Sequence, residues 1–177
     1  MDIEIHWDLR LRLSLTEERA YAFDAERVPD CCGVYIFLRS HGKSTEALYV
    51  GQAERLRRRM IQYRDQQQKL NSHARRIMDS IHRADSGSRW LLLGEIQTRQ
   101  GQQLERVLGI TERALIKHFL SLGHRLVNKH GTRLETDTIQ SVRTHFRKLV
   151  PRTLSIEKSS SHKQQPKNRG FLASLLG

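Results

Sequence analysis

The chain of 177 residues is poor in cysteine, and that shortage excludes both a disulfide framework and a cysteine-based zinc site. Its only cysteines, Cys31 and Cys32, are adjacent, a spacing at which a disulfide would be badly strained. Two thiols without further cysteines nearby also make no zinc site. We therefore expect both side chains to be reduced and to pack as small residues.

Long hydrophobic runs are missing as well. No apolar stretch approaches the roughly 20 residues that a membrane-spanning helix needs. The N-terminus, MDIEIH, lacks the basic start and apolar middle of a secretory signal peptide. We therefore expect a cytoplasmic protein with no membrane partner.

Acidic residues are scarce relative to basic ones, with 19 Asp and Glu against 31 Lys and Arg and a net charge of +12. Residues 1–30 hold eight acidic and four basic residues, so this N-terminal segment has a net charge of −4. Residues 31–177 therefore carry +16. A basic body of this kind indicates a polyanionic partner, and nucleic acid is a better candidate than a membrane surface.

The N-terminal part of the chain has the period of a strand. Apolar and polar side chains alternate throughout residues 3–15, which predicts a half-buried strand. The S-x-x-E spacing of Ser14 and Glu17 predicts a capping box that opens a short helix. This helix is expected to end before Pro29, because the residue before a proline disfavours helical geometry.

The remainder of the chain predicts a hairpin and several helices around a small sheet. Two strand-like runs, residues 33–40 and 48–53, are separated by a polar loop and are most simply a hairpin. From Glu54 onward the apolar residues recur at helical spacing. Further elements are expected as a helix over 71–84, a strand over 90–98, a helix over 110–124 and a last helix over 137–149.

The predicted hairpin and the helix after it contain several residues of the types that bind phosphate. Gly33 and Gly51 each flank a tyrosine on neighbouring strands, and a strand glycine often marks the close approach of a backbone or ligand. Arg59 and Tyr63 are four residues apart and so share one helix face. Ordinary aromatic packing would explain the presence of any single tyrosine. The shared helix face of Arg59 and Tyr63 instead favours a phosphate-binding site.

The motif GVY at 33–35 and YVG at 49–51 resembles the signature of the GIY-YIG endonuclease family. Arg59, ten residues after the second tyrosine, and Tyr63, four residues later, match the next positions. The family includes homing endonucleases, restriction enzymes and the incision subunit of bacterial nucleotide excision repair. The resemblance implies an α+β fold in which a small three-stranded antiparallel sheet is flanked by helices, here with an additional N-terminal strand.

The family's later marks are also matched, by Glu112 in a helix after the third strand and by Asn128 further on. The resemblance spans residues 33 to about 130. It suggests a division of the chain into an N-terminal strand and short helix, a nuclease domain, and a basic tail that is expected to be flexible. The boundaries of these parts are 1–30, 31–150 and 151–177.

The role of Glu112 as a metal ligand is also supported by its position in the sequence, independently of the family. It lies on the apolar stripe of its helix, with Leu115, Ile116 and Phe119 on the same face. An ionised carboxylate there is costly unless something pairs with it, and a metal ion would offset the cost. The alternative is that Glu112 complements the helix dipole. Glu105 is a rival carboxylate but lacks the apolar pair that follows Glu112.

The resemblance implies specific roles for the matched residues. The two hairpin tyrosines would orient or deprotonate the attacking water, and nearby arginines would have to favour a phenolate, since a phenol titrates near pH 10. Arg59 would hold the phosphate, and Glu112 would be the single protein ligand of Mg²⁺ or Mn²⁺. The implied catalytic set is Tyr35, Tyr49, Arg59, Tyr63, Glu112 and Asn128.

A set of polar and basic residues around the arginine-rich helix could track a phosphate backbone. The alternative for such a cluster is a solvated helix face. The residue after the YVG motif is Gln52, where the repair branch of the family often has a lysine. The predicted nucleic-acid-binding residues are Gln52, Arg55, Arg57, Arg58, Lys69, Arg75 and Arg76.

Two functions of different class follow from these residues. The first is a DNA endonuclease that uses Mg²⁺, needs no small-molecule cofactor and acts on double-stranded or branched DNA. The second is a catalytically inactive module that keeps the scaffold and binds nucleic acid. The target sequence, the choice between DNA and RNA, and the oligomeric state are left open.

Overall fold

The computed structural model describes residues 2–15, 21–65, 79, 81, 86–128, 137–142 and 149–156. The fold is mixed α+β, and neither helix given below is long and apolar enough to cross a membrane. The strands are β1 Asp2–Leu15, β2 Tyr21–Ala22, β3 Gly33–His41, β4 Ser44–Ala53, β5 Ser88–Gln97, β6 Asp137–Val142 and β7 Thr153–Ile156, and the helices are α1 Leu56–Asp65 and α2 Leu104–Ser121.

A single sheet with the order β4-β3-β5-β1-β6-β7 joins these strands, and β2 pairs with the end of β1. The β4-β3-β5 part is the expected antiparallel trio. The prediction of a sheet of three strands is wrong in size, because β1 is an integral neighbour of β5 and brings β6 and β7 with it. The division of the chain into three parts stays a prediction, although β1 and β7 both pair with this sheet.

Residues 137–142 are a strand, so the helix predicted over 137–149 is wrong in this part. β6 runs parallel to the start of β1, with Ile3 opposite Ile139 and Ile5 opposite Ser141. Ile139 and Ser141 are both buried, as expected for alternate residues of one strand. Pairing with β1 has therefore overridden the local pattern. Residues 143–148 lie outside the described residues.

The predicted capping box is also wrong, because Ser14 lies within β1 and pairs with Ala22. The described helical residues before Pro29 form only a 3-10 turn, Ala25–Arg27. Asp24 caps this turn by accepting a hydrogen bond from the Glu26 N–H at 3.1 Å. Outside the described residues lie Glu17, Lys69, Arg75, Arg76 and nearly all of the helix predicted over 71–84.

A β-bulge in β1 changes which face its apolar residues cover. The register of β1 against β5 shifts between His6 and Leu9, so two residues of β1 oppose Gly94 alone. One extra residue turns every later side chain to the opposite face of the sheet. Trp7 therefore packs in the core beside α2, whereas Leu11 packs in the core beside α1.

The sheet thus has two covered faces. Alternate residues of β3 divide between them, with Val34 and Ile36 in the core beside α2, and Tyr35 and Phe37 in the core beside α1. β4 is the last strand of the sheet on this side. Side chains from the two helices can therefore come close to each other around the β4 edge.

Two histidines link the C-terminal half of α2 and the loop after it to neighbouring backbone. The His118 ring donates to the Leu149 carbonyl at 3.1 Å, and His124 Nδ1 accepts from the Ala47 N–H at 3.4 Å. Burial lowers the pKa of both rings, with the His118 charge adding to the effect at His124 and the Glu46 charge opposing it there.

We expect the free energy of unfolding to fall as the pH drops below about 6.5, the usual histidine pKa. In that range the unfolded chain binds protons that the folded protein does not, so the unfolded state gains stability. Urea unfolding at pH 7.5 and pH 5.5 measures the difference. His124→Asn keeps a short acceptor and should reduce the pH dependence, and an unchanged slope in this variant would contradict the assignment.

Candidate active site

Three phenols, from Tyr35 on β3, Tyr49 on β4 and Tyr63 on α1, form a phenol cluster in the core beside α1. The Tyr35 and Tyr63 hydroxyls share a hydrogen bond of 3.1 Å, and the Tyr35 and Tyr49 ring centroids are 6.1 Å apart. Phe37 completes the cluster, with its ring centroid 5.7 Å from that of Tyr63 and 6.4 Å from that of Tyr49. The cluster therefore holds the three tyrosines of the motif in one packed group.

Gly51 leaves the space that the Tyr35 side chain occupies. The two residues are cross-strand partners in the β3-β4 hairpin. A Cβ added at Gly51 would lie only 2.5 Å from the Tyr35 Oη and even closer to its ring. Gly33 is equally confined, because a Cβ there would collide with the Gly94 carbonyl oxygen. Both motif glycines are therefore required by close packing.

We expect Gly51→Ala to destabilise the protein by about 1–3 kcal/mol, the usual cost of overpacking a core. The displaced Tyr35 ring should also lose its hydrogen bond to Tyr63. Gly109→Ala is the matched control, because a Cβ at this helical glycine meets no atom within 4 Å. Denaturant midpoints of both variants give the measurement, and equal stabilities would contradict the packing argument.

The phenols of Tyr35 and Tyr49 are held neutral. The pKa of Tyr35 is raised well above its usual value because burial disfavours the phenolate, and the other two phenols add to this effect. Burial raises the pKa of Tyr49 in the same direction, and the Tyr63 and Glu112 charges reinforce it. Arg59 opposes the rise at Tyr35 but has the smallest effect. Arg59 thus favours the phenolate of Tyr35, as the resemblance requires of nearby arginines, but burial outweighs its effect.

Glu112 lies on α2 and is half-buried. Burial raises the pKa of its carboxyl group, and the neighbouring Arg113 charge opposes the rise. Among the described residues, Glu112 has no hydrogen bond or ion pair. Its charge contributes to the raised pKa of Tyr49, so the carboxylate lies within electrostatic reach of the phenol cluster. A half-buried carboxylate that has no partner in the described part of the chain and acts on nearby hydroxyls is suited to binding a cation.

Asn128 holds the backbone of β4 next to Tyr49. Its Nδ2 donates to the Val50 carbonyl at 2.6 Å, and its Oδ1 accepts from the Val50 N–H at 3.3 Å. The preceding Val127 N–H donates to the Leu48 carbonyl at 2.8 Å. These bonds engage the backbone on both sides of Tyr49. Asn128 therefore positions the strand, and both ends of its amide are occupied by that bond pair.

Two of the predicted nucleic-acid-binding arginines tie α1 to the segment before β3. Arg57 donates through Nε to the Val28 carbonyl at 2.7 Å. Arg55 forms a bidentate pair with Asp30 at 2.6 and 3.2 Å, and this pair lowers the pKa of the Asp30 carboxyl. Their guanidinium groups are thus engaged in the protein itself.

Arg58 and Arg59 differ from these two because both are exposed. Within the part of the chain that the structure describes, their side chains form no hydrogen bond or ion pair. Arg59 acts electrostatically on Tyr35, so its charge lies within electrostatic reach of the phenol cluster. These two exposed guanidinium groups can therefore receive a phosphate.

A cleft of about 400 Å³ opens between the end of β4, α1 and the first turns of α2. Arg59 lines this cleft, and its charge acts on Tyr35 of the phenol cluster. The cleft is lined by Gln52, Ala53, Glu54, Arg55, Arg58, Arg59, Gln62, Glu105 and Leu108.

The family comparison agrees with the resemblance read from the motif. Residues 31–87 match the model of the UvrC-like GIY-YIG domain. The matched segment contains both halves of the motif as well as Arg59 and Tyr63, whereas Glu112 and Asn128 lie beyond it. No curated protein and no solved structure matches the chain.

Proposed function

We propose, from the premise that residues 31–87 are a GIY-YIG domain, that the chain is a metal-dependent endonuclease that hydrolyses phosphodiester bonds in DNA. The observation that carries the proposal is the position of Glu112. This carboxylate comes from a helix outside the matched segment, yet its charge acts on the motif residue Tyr49. A purely structural scaffold has no need of a half-buried carboxylate that lacks a partner among the described residues at that place.

Whether a divalent cation fits this site depends on which side chains can donate oxygen ligands to it. In the described ranges no group of three or more His, Cys, Asp or Glu side chains could hold a metal. Mg²⁺ is commonly bound by one or two carboxylates together with substrate phosphates and retained waters. Glu112 would hold Mg²⁺ or Mn²⁺, which would neutralise charge on the phosphoryl oxygens and acidify a bound water.

Arg59 is proposed to hold the scissile phosphate. Its guanidinium is exposed and always charged, and its forked donors match phosphate oxygens. It would stabilise the charge that develops on these oxygens in the transition state. Arg58, one residue earlier and equally exposed, would contact an adjacent part of the backbone.

The phenol cluster is proposed to orient the attacking water rather than to deprotonate it. The raised pKa values of Tyr35 and Tyr49 keep both hydroxyls protonated at neutral pH. A neutral hydroxyl can accept a hydrogen bond from water while donating one of its own. Tyr63 would complete this network through its bond to Tyr35, and Asn128 would keep Tyr49 in place by bonding the backbone beside it.

The test is a cleavage and binding assay of the purified protein with DNA and Mg²⁺, run beside the Glu112→Ala variant. Cleavage that disappears in the variant while DNA binding persists supports the endonuclease. Binding without cleavage under Mg²⁺, Mn²⁺ or any other divalent metal supports the alternative, an inactive binding module. Plasmid, branched and single-stranded substrates should be compared in the same assay.

A further inference from the structure

The cleft beside the phenol cluster combines more kinds of side chain than a surface that only tracks a phosphate backbone would need. Its floor includes Ala53 and Leu108, which are 8% and 2% exposed. The cleft is also lined by guanidinium groups, two amides and two carboxylates. These polar groups belong to Arg55, Arg58, Arg59, Gln52, Gln62, Glu54 and Glu105.

Each type of group matches a different part of a nucleotide. The exposed guanidinium groups of Arg58 and Arg59 match phosphate oxygens. Amides such as those of Gln52 and Gln62 match the donor and acceptor pattern of a base edge, and a carboxylate such as Glu105 can accept from an exocyclic amino group. Carboxylates would repel a backbone that merely crossed the cleft. The mixture therefore favours a base as well as a phosphate.

The size and position of the cleft point in the same direction. A volume of about 400 Å³ lies within the range of roughly 300–1,000 Å³ that is usual for small-ligand pockets. A base that is stacked and paired in a duplex cannot enter such a concavity, whereas an unpaired base can contact its apolar floor. Glu105, Leu108 and Glu112 are spaced to share one face of α2, so the cleft leads toward the proposed metal ligand.

We propose that this cleft binds one unpaired nucleotide next to the scissile phosphate. The substrate class is then DNA with an unpaired nucleotide at the cut position, as in a bulge, a flap or a junction, in preference to continuous duplex. The position of the cut rests on the proposed function. The binding preference does not, because it depends only on the side chains of the cleft.

The preference can be measured by fluorescence anisotropy with Glu112→Gln protein, so that no cleavage disturbs binding. Two labelled DNAs of the same sequence are compared, one a continuous duplex and one with a single unpaired nucleotide. We expect the second to bind about tenfold more tightly, as one well-made base contact provides. Gln62→Ala and Glu105→Ala, each added to this protein, should bring the ratio close to one. Gln97→Ala, an exposed amide outside the cleft, should leave it unchanged.

The outcomes separate this inference from the proposed function. Equal affinity for the two DNAs, or a preference that survives both cleft variants, overturns the inference even if the wild-type protein cuts DNA. A preference that Gln62→Ala and Glu105→Ala abolish supports it, including when the wild-type protein cuts no DNA with any metal. Thermal unfolding of each variant establishes that a lost preference is not a lost fold.

Discussion

Glu112→Gln is expected to abolish cleavage and at the same time to make the metal-free protein more stable at neutral pH. Burial raises the pKa of Glu112 above its usual value of 4.5, so the folded protein binds the proton more tightly than the unfolded chain does. The contribution of Glu112 to the free energy of unfolding is therefore most favourable below pH 4.5, and it is lost as the pH rises through the pKa of the folded state. At pH 7 the ionised carboxylate opposes folding, and the neutral amide relieves this.

The two effects are measured separately. Cleavage should fall by at least about a hundredfold, as expected when charge stabilisation at the reacting phosphate is removed. In EDTA at pH 7.5 the variant should have the higher melting temperature, at about 2–4 °C for each kcal/mol in a protein of this size. The difference should vanish near pH 4, where both proteins carry a neutral side chain at this position.

Mg²⁺ links stability to function. It should raise the melting temperature of the wild-type protein, because a ligand that binds only the folded state stabilises it, and it should not raise that of Glu112→Gln. Glu105→Gln is the control, since Glu105 lies in the same helix but is exposed. If Mg²⁺ raised the melting temperatures of the wild-type protein and of Glu112→Gln equally, the assignment of Glu112 as the metal ligand would be wrong.

The hairpin, α1 and α2 could be predicted from the sequence because each depends on local pattern. The bounds are less accurate, since the helix predicted over 110–124 is Leu104–Ser121. The bulge in β1 could not be predicted, because apolar residues alternate through it without interruption. Only the pairing with β5 reveals that residues before His6 and after Leu9 face different sides of the sheet. Trp7 and Leu11, which the pattern places together, thus belong to separate cores.

The errors at Ser14 and at residues 137–142 have a common cause. Each segment contains a plausible local signal, but each also meets a strand partner that the local signal does not record. Ser14 pairs with Ala22, and β6 pairs with β1, from which it is far removed in sequence. Strand pairing with another segment, nearby in sequence for Ser14 and distant for β6, outweighs weak helix propensity.

The chemistry of the candidate site divides in the same way. Motif spacing predicts the three tyrosines, which the structure brings into one cluster, and Glu112, whose role stays a prediction. The charge state of Tyr35 and Tyr49 depends on burial, which spacing does not report. Phe37 was missed, although its place two residues after Tyr35 puts it on the same face of β3. The arginine run looked uniform, yet the carbonyl that Arg57 contacts belongs to a distant segment.

Arg59→Ala is expected to lower kcat/KM by about 10²–10³-fold while leaving the fold intact, because a removed transition-state contact has this magnitude. Arg59 is exposed, and among the described residues its side chain makes no bond that the substitution would break. Arg59→Lys should recover only part of the loss, since an ammonium group cannot contact the phosphate with two parallel donors. The loss should appear mainly in kcat if the contact is made in the transition state.

Arg57→Ala is the contrasting control on the same helix, and it should lower stability more than activity. Its Nε donor is bonded to the Val28 carbonyl at 2.7 Å, which would lose its partner. Steady-state kinetics with a labelled DNA, together with urea unfolding of each variant, distinguishes the two arginines. A loss of activity in Arg57→Ala that matches Arg59→Ala at equal stability would show that the helix acts through its summed charge. A large loss confined to Arg59 assigns the phosphate contact to a single guanidinium, the one whose charge reaches Tyr35.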